Sequence, residues 1–276
     1  MALCTKQNKK SEQHNMWKPQ LLALLSLAAC DGLNTFSSSP TPSSAAAPLT
    51  LSSAAGTTYV PAGPSMVAGN GFDTVTDRSA KIQIVSSTQI NVNDVPLYAD
   101  ADGVTFRSLD GTYVMKVNSA TGDYTTDQAL YMLAAEASGG QNLLSTYVMG
   151  NTTAAADIPK SGTASYSGSM TLFNEAGAPL ATLAGPALVV SLDTAKVNGH
   201  FTYADTTVSL AETTLVNGSF LTTMKSGEAS PLVTGTIDGS MFGAGGKEIS
   251  GTVGLQYNPD GTPTESYVGY YGVTTP

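Results

Sequence analysis

Charged side chains are scarce: Asp, Glu, Lys and Arg make up 12% of the 276 residues, about half the usual share in a globular chain. Aromatics are few, at 7% with a single Trp, whereas Gly numbers 28 and Ser, Thr and Ala abound. That balance favours exported β-rich proteins over cytosolic helical enzymes. Basic residues are outnumbered, 12 against 21 acidic ones, for a formal charge of −9. Such a surface repels phosphate, which excludes a nucleic-acid binder. No apolar run approaches the roughly 20 residues a helix needs to cross a bilayer, which excludes a polytopic helical membrane protein. The length suits one large or two small domains.

What is present begins with an address. Lys6, Lys9, Lys10 and Lys18 precede an apolar run from Leu21 to Ala29, the order of a secretory signal. The run ends Leu27-Ala28-Ala29-Cys30, which resembles the lipobox of bacterial lipoproteins. The resemblance implies cleavage before Cys30 and acylation of its thiol, so residues 1–29 are expected to be a lipoprotein signal peptide. Met16 opens a complete signal by itself and is expected to be the true start. Of the two cysteines, Cys4 precedes the cleavage point and Cys30 carries lipid, which leaves none for a disulfide, a thiolate metal site or a catalytic thiol. The mature chain keeps 8 basic against 20 acidic residues, so acyl chains rather than a basic patch must hold it to the membrane.

Residues 30–58 hold the lipidated Cys and a Ser/Pro/Ala tract from Ser37 to Pro48. This tract lacks the apolar bulk to offset its ordering entropy and reads as a flexible tether. Residues 59–157 alternate weakly, with strand-like pieces at Lys81–Val85, Gly103–Arg107 and Thr112–Val117 between Asp-Gly turn signals. One helix is predicted, Thr126–Ala137, with Asp127 in its first turn and Gly139-Gly140 ending it.

From Gly162 onward the period becomes that of a half-buried strand: Ala164, Tyr166, Gly168, Met170 and Leu172 share one phase, with Ser and Thr on the other. Similar stretches at about 187–193, 197–203, 206–210, 214–223, 232–242, 248–257 and 266–273 complete eight predicted strands joined as an antiparallel meander. Gly168, Gly199, Gly218, Gly239, Gly251 and Gly269 stand mid-strand on the phase of their bulky neighbours. Glycines there let strands bend sharply and leave space for side chains opposite, which predicts closure into a small barrel. The expected fold class is therefore all-β, a small β-rich handle segment followed by a C-terminal eight-stranded antiparallel barrel. Its interior is expected to be packed, which moves function to loops and to the middle segment.

Three segments then resemble a known family. Ile158-Pro159-Lys160-Ser161-Gly162-Thr163-Ala164-Ser165-Tyr166-Ser167-Gly168 is similar to the P-x-x-G-x-A-x-Y-x-G opening strand of transferrin-binding protein B-like barrels. Leu188–Asp193 with Val197-Asn198-Gly199 resembles their next hairpin, and Gly239–Val253 their G-x-F-Y-G-P-x-A-x-E-x-G-G-x-F segment. The resemblance runs from Ile158 to the C-terminus and implies a single-lobe Gram-negative surface lipoprotein with its barrel over 158–276. It does not imply transferrin, since the transferrin receptors are two-lobed and about twice this length. Asp31, just after the lipidated cysteine, is the residue that holds enteric lipoproteins in the inner membrane, which leaves inner-membrane retention open.

Signatures of chemistry are missing. No G-x-S-x-G, completed G-x-G-x-x-G or P-loop occurs. His200 is the only histidine after Cys30, so a zinc site of the usual ligands is not expected. It falls on the polar phase of its strand, with haem ligation the alternative to simple exposure. Asp100-Ala101-Asp102-Gly103 opens like a calcium loop but lacks the closing glutamate and reads as a hairpin turn, as does Asn258-Pro259-Asp260-Gly261. Tyr267, Tyr270 and Tyr271 cluster near the C-terminus and others, among them Tyr98, Tyr113, Tyr124, Tyr131 and Tyr147, lie in the middle segment. They are either an exposed recognition anchor or core filling.

These readings converge on a non-enzymatic, cofactor-free binding lipoprotein, anchored to membrane lipid through Cys30. Its expected task is capture of a host protein or a haem-like solute beside an outer-membrane transporter. The candidate ligand contacts are Tyr267, Tyr270, Tyr271 and His200, with no catalytic or metal site. Two other readings stand beside it, a structural or adhesive envelope lipoprotein and a lipocalin-like carrier with its ligand inside the barrel.

Overall fold

The computed structural model describes residues 47–68, 76–119, 126–138, 141–180, 182–227, 232–258 and 265–276. The signal segment, Cys30, Asp31, most of the tether, Tyr124, Gly139-Gly140 and the tip of the 258–261 turn lie outside them.

The first half forms an antiparallel sheet of ten strands: β1 Thr58–Tyr59, β2 Ala62–Ala68, β3 Thr76–Ser79, β4 Ile82–Ser86, β5 Gln89–Val92, β6 Val95–Ala99, β7 Thr105–Ser108, β8 Tyr113–Ser119, β9 Ala129–Ser138 and β10 Gln141–Gly150. Its spatial order is β1-β4-β5-β6-β7-β8-β9-β10-β2-β3. Alternation builds it: Ile82, Ile84, Ile90, Val92, Leu97, Phe106 and Met115 point to one side and are buried together. Two-residue turns set the register. Asn93 and Asp94 both take positive φ between β5 and β6, the geometry that matches the twist of a hairpin. Lys81 reinforces the turn, its backbone N–H donating to Asn93 Oδ1 at 2.9 Å and its Nζ to Asp94 Oδ1 at 2.8 Å.

The predicted helix at Thr126–Ala137 is instead strand β9. Leu130, Met132 and Ala134 face the sheet's own core while Ala129, Tyr131 and Leu133 face the barrel. A strand buried on both faces reads as a continuous apolar run, and periodicity alone does not separate it from a helix. Asp127 serves no helix dipole; its backbone N–H and that of Gln128 each donate to Glu248 Oε2 at 3.0 Å.

The second half is the barrel: β11 Thr163–Phe173, β12 Leu183–Ala184, β13 Ala187–Ser191, β14 Lys196–Tyr203, β15 Thr206–Thr214, β16 Ser219–Lys225, β17 Val233–Phe242, β18 Glu248–Tyr257 and β19 Glu265–Thr274. Seven neighbouring pairs run from β11 through β13 to β19, and β11 closes the ring against β19 from Ser167↔Thr274 to Phe173↔Val268. Eight strands therefore close the barrel, and β12 is a two-residue addition paired to β11. The inward phase is filled by Tyr166, Met170, Phe201, Phe220, Met241, Tyr271 and their neighbours in one buried cluster.

One strand boundary differs from expectation. The predicted strand 214–223 spans a hairpin turn, and Gly218 stands in that turn at φ 80° beside Asn217 at φ 50°. Asn-Gly is the strongest short hairpin signal, so the residues did announce the turn. Gly239 does hold an inward position. A Cβ there would lie 2.3 Å from Tyr271 Oη and 2.7 Å from the Phe220 ring, so the missing side chain is what admits both aromatic groups.

Candidate binding surface where sheet and barrel meet

Strands β2, β9 and β10 lie against the outer wall of β18 and β19. Outward residues on a barrel wall normally meet water, yet here Ser250, Thr252, Val268 and Tyr270 are buried. The Tyr270 ring packs on Tyr131 from the sheet at 5.2 Å between centroids and on Phe173 at 5.3 Å. Polar groups trapped in this layer are paired. Tyr131 Oη bonds Ser250 Oγ at 2.8 Å and also Thr126 Oγ1, and Thr146 Oγ1 donates to Gly269 O at 2.9 Å. Gly272 provides the space, since a Cβ on it would meet the Tyr131 hydroxyl at 2.2 Å. Apolar burial with satisfied hydrogen bonds makes this a firm junction rather than a hinge.

The four residues singled out as ligand contacts are not brought together. Tyr267 and Tyr271 point into the barrel and Tyr270 into the junction, and all three are buried. Tyr271 Oη donates to Asp238 O at 2.7 Å, and the Tyr267 hydroxyl donates to the Glu265 carboxylate. Burial, with Asp238 and Tyr131 nearby, holds the Tyr271 phenol well above its ordinary pKa. Burial first, then its bonds to Glu265 and Tyr203, pushes Tyr267 up as well. Of the two readings of these tyrosines, their burial matches core filling. His200 stands exposed on the outer wall of β14 between Ala187 and Ser209. Among the described residues no three His, Cys, Asp or Glu side chains gather in a way that suits a metal ion. At Asp100–Gly103, Asp102 accepts the backbone N–H groups of Val104 and Thr105, and Asp100 pairs with Arg107 at 2.7 Å. That is a turn, as expected.

Sequence reasoning missed a groove beside the junction. Strand β15 carries an extra residue around Ala211–Glu212, since Val197 pairs with Thr213 but Gly199 with Leu210. A bulge bends its strand, and β15 pairs with β16 only at Ser209↔Lys225 and Leu210↔Met224. Beyond that, hydroxyls bridge the opening: Thr222 Oγ1 donates to Ala211 O at 2.7 Å and Thr213 Oγ1 to Leu221 O at 3.2 Å. The opened hairpin forms one wall of a cleft of about 570 Å³, with Ala62 and Asp77 of the sheet opposite and Asp238 of β17 between. A second cleft of about 470 Å³, reaching Tyr59 and Val60, shares Ala62, Asp238, Gly239 and Ser240 with the first. Asp238 is mid-strand and half-buried. Its Oδ1 accepts from Thr252 N–H and, at 2.8 Å, from Thr252 Oγ1. Burial pushes its pKa up to about 6, the Thr252 bonds oppose that rise, and the charge of Asp77 adds to it. Nothing in the run Thr234-Gly235-Thr236-Ile237-Asp238 distinguishes this carboxylate from one on an open strand.

No protein-family model matches the chain, and no curated protein matches it. Among solved structures it is similar to a double mutant of transferrin binding protein B from Haemophilus parasuis, with 12% identity, 78% of this chain and 45% of that one covered, and a TM-score of 0.48. It is similar to isotype 1 transferrin binding protein B from serogroup B Neisseria meningitidis, with 14% identity, 79% and 43% covered, and a TM-score of 0.46. It is also similar to a surface lipoprotein, with 10% identity, 79% and 98% covered, and a TM-score of 0.39. The chain spans less than half the length of the transferrin binding proteins it matches, and those proteins carry the name of the family whose motifs its barrel segment resembles.

Proposed function

We propose that this protein is a lipid-anchored envelope lipoprotein that binds a partner on its outer surface without catalysis. Its task would be to capture a host protein or a haem-like solute for a transporter in the outer membrane. The observation that carries this reading is the filled barrel. Tyr166, Met170, Phe201, Phe220, Met241 and Tyr271 occupy the interior as one buried cluster, so a ligand has to be met on the outside. The same packing counts against a lipocalin-like carrier. The firm junction of sheet and barrel fits a rigid recognition scaffold, on which binding costs little ordering entropy. The anchor rests on Leu27-Ala28-Ala29-Cys30.

Protease shaving of intact cells, with a periplasmic protein as leakage control, tests the surface location. Release of the barrel supports outward capture, and protection until the outer membrane is broken turns the reading toward a periplasm-facing structural lipoprotein. The anchor has its own test: Cys30→Ser is expected to abolish labelling by radioactive palmitate and leave an unprocessed precursor. Normal labelling of that variant would refute lipidation at this residue.

A further inference from the structure

We infer that the groove between the β15–β16 hairpin and strands β2 and β3 is a docking site for a partner-protein segment that presents a basic side chain between apolar ones. Three features carry this. First, its rim is apolar and uncovered: Val60, Val216 and Leu221 are 70%, 61% and 56% exposed, and all three border the joined clefts. Single exposed apolar residues are ordinary, but several around one depression mark an interaction surface. Second, Asp77 and Asp238 line the cleft, and no Lys or Arg is among its described lining residues. The four ion pairs of the described residues use neither carboxylate; one of them, Lys196–Glu212, stands at the β15 bulge, where Lys196 Nζ also reaches Thr214 Oγ1 at 3.4 Å. Third, Thr252 holds Asp238 in one orientation through two bonds to the same oxygen, so the acceptor is preorganised for a donor arriving from the groove.

Charge decides the occupant. Two carboxylates that form no ion pair among the described residues reject an acidic segment or an anionic lipid surface and favour a guanidinium or ammonium group. The raised pKa of Asp238 agrees with this, because burial disfavours its ionised form and the charge of Asp77 adds to that, while the Thr252 bonds oppose it.

This inference deepens the binding reading and rests on it only in taking the occupant to be another protein. Shaving that fails ends surface capture and leaves groove binding measurable, whereas failure of groove binding leaves the anchor result untouched. The probe is a fluorescein-labelled pentapeptide alternating leucine with arginine, titrated by anisotropy into the purified full chain. Its glutamate counterpart and calcium chloride alone serve as comparisons. Saturable binding of the arginine peptide is expected, weakened about two- to fivefold by Asp77→Asn and on the order of fivefold by Leu221→Ser. Asp205→Asn, the same charge removed from the β14–β15 turn, is expected to leave it unchanged. Asp77 and Leu221 are exposed, so these variants are expected to fold, and circular dichroism checks that they do. Four results each overturn the proposal: no binding of the arginine peptide, equal binding of the glutamate peptide, binding indifferent to both groove variants, or displacement of the peptide by calcium. Sedimentation that shows the groove variants abolishing self-association would assign the groove to a second copy of this chain and overturn it as well.

Discussion

The barrel and the ten-stranded sheet are made by the same antiparallel meander, yet they bury their strands differently. Barrel strands have a dry inner face and, for most of the ring, a wet outer one. Among the described residues the strand order of the sheet ends at β1 and β3, and its strands β9 and β10 are pressed between its own core and the barrel wall. The difference teaches where function can sit. In the barrel the inward side chains form one buried cluster, and a sheet that docks on one side of it leaves a seam whose margins are neither core nor free surface. The Asp77–Asp238 groove lies along that margin.

The comparison is broken most severely at the junction. Tyr270→Ala removes a ring that touches both parts and is expected to cost about 3–5 kcal/mol. Hydrogen exchange should then rise in β9 and in β18 together; a rise in only one would show that the two parts do not lean on each other. A smaller loss separates them. Gly239→Ala forces a Cβ toward Tyr271 and Phe220 inside the barrel and is expected to cost about 1–3 kcal/mol, with exchange rising in β16, β17 and β19 ahead of β4 and β5.

The next effect has the opposite sign. The folded pKa of Asp238 lies near 6, above its ordinary 3.8, so the stability contributed by its neutral form is complete below about pH 4 and lost as pH rises through about 6. Asp238→Asn keeps an acceptor for Thr252 and carries no charge. It is expected to be more stable than the natural protein by on the order of 2 kcal/mol at pH 7.5, and equal to it near pH 3.5. Urea denaturation at the two pH values measures this, and a constant difference would show that the carboxylate does not titrate as described. The smallest effect belongs to His200→Ala on the exposed barrel wall. It should change stability by less than about 0.5 kcal/mol and leave haem-induced absorbance changes, if any occur, unaltered.

How legible each part was follows from the same contrast. Seven of the eight barrel strands could be read from alternation, because one wet face prints period two onto the residues. The misplaced boundary at 214–223 came from reading Gly218 by its phase and overlooking Asn217 before it. In the sheet, strands β4, β7 and β8 were readable for the same reason as the barrel strands. Strand β9 was not, since Ala129–Ala135 is apolar on both phases and rich in good helix formers. The groove was invisible. Val216 and Leu221 resemble any strand residue, and a bulge two residues long leaves no signature in composition.

The residues alone determined the all-β class, the number of barrel strands, the filled interior and the character of the turns, because these depend on short-range periodicity and on backbone preference. Only the tertiary structure decided which outward faces are dry, that Tyr270 joins two parts, and that Asp77 and Asp238, 161 positions apart in the chain, share one cleft. Those outcomes depend on which wall of the barrel the sheet covers, a long-range choice made by the fit of whole surfaces, and no local pattern records it.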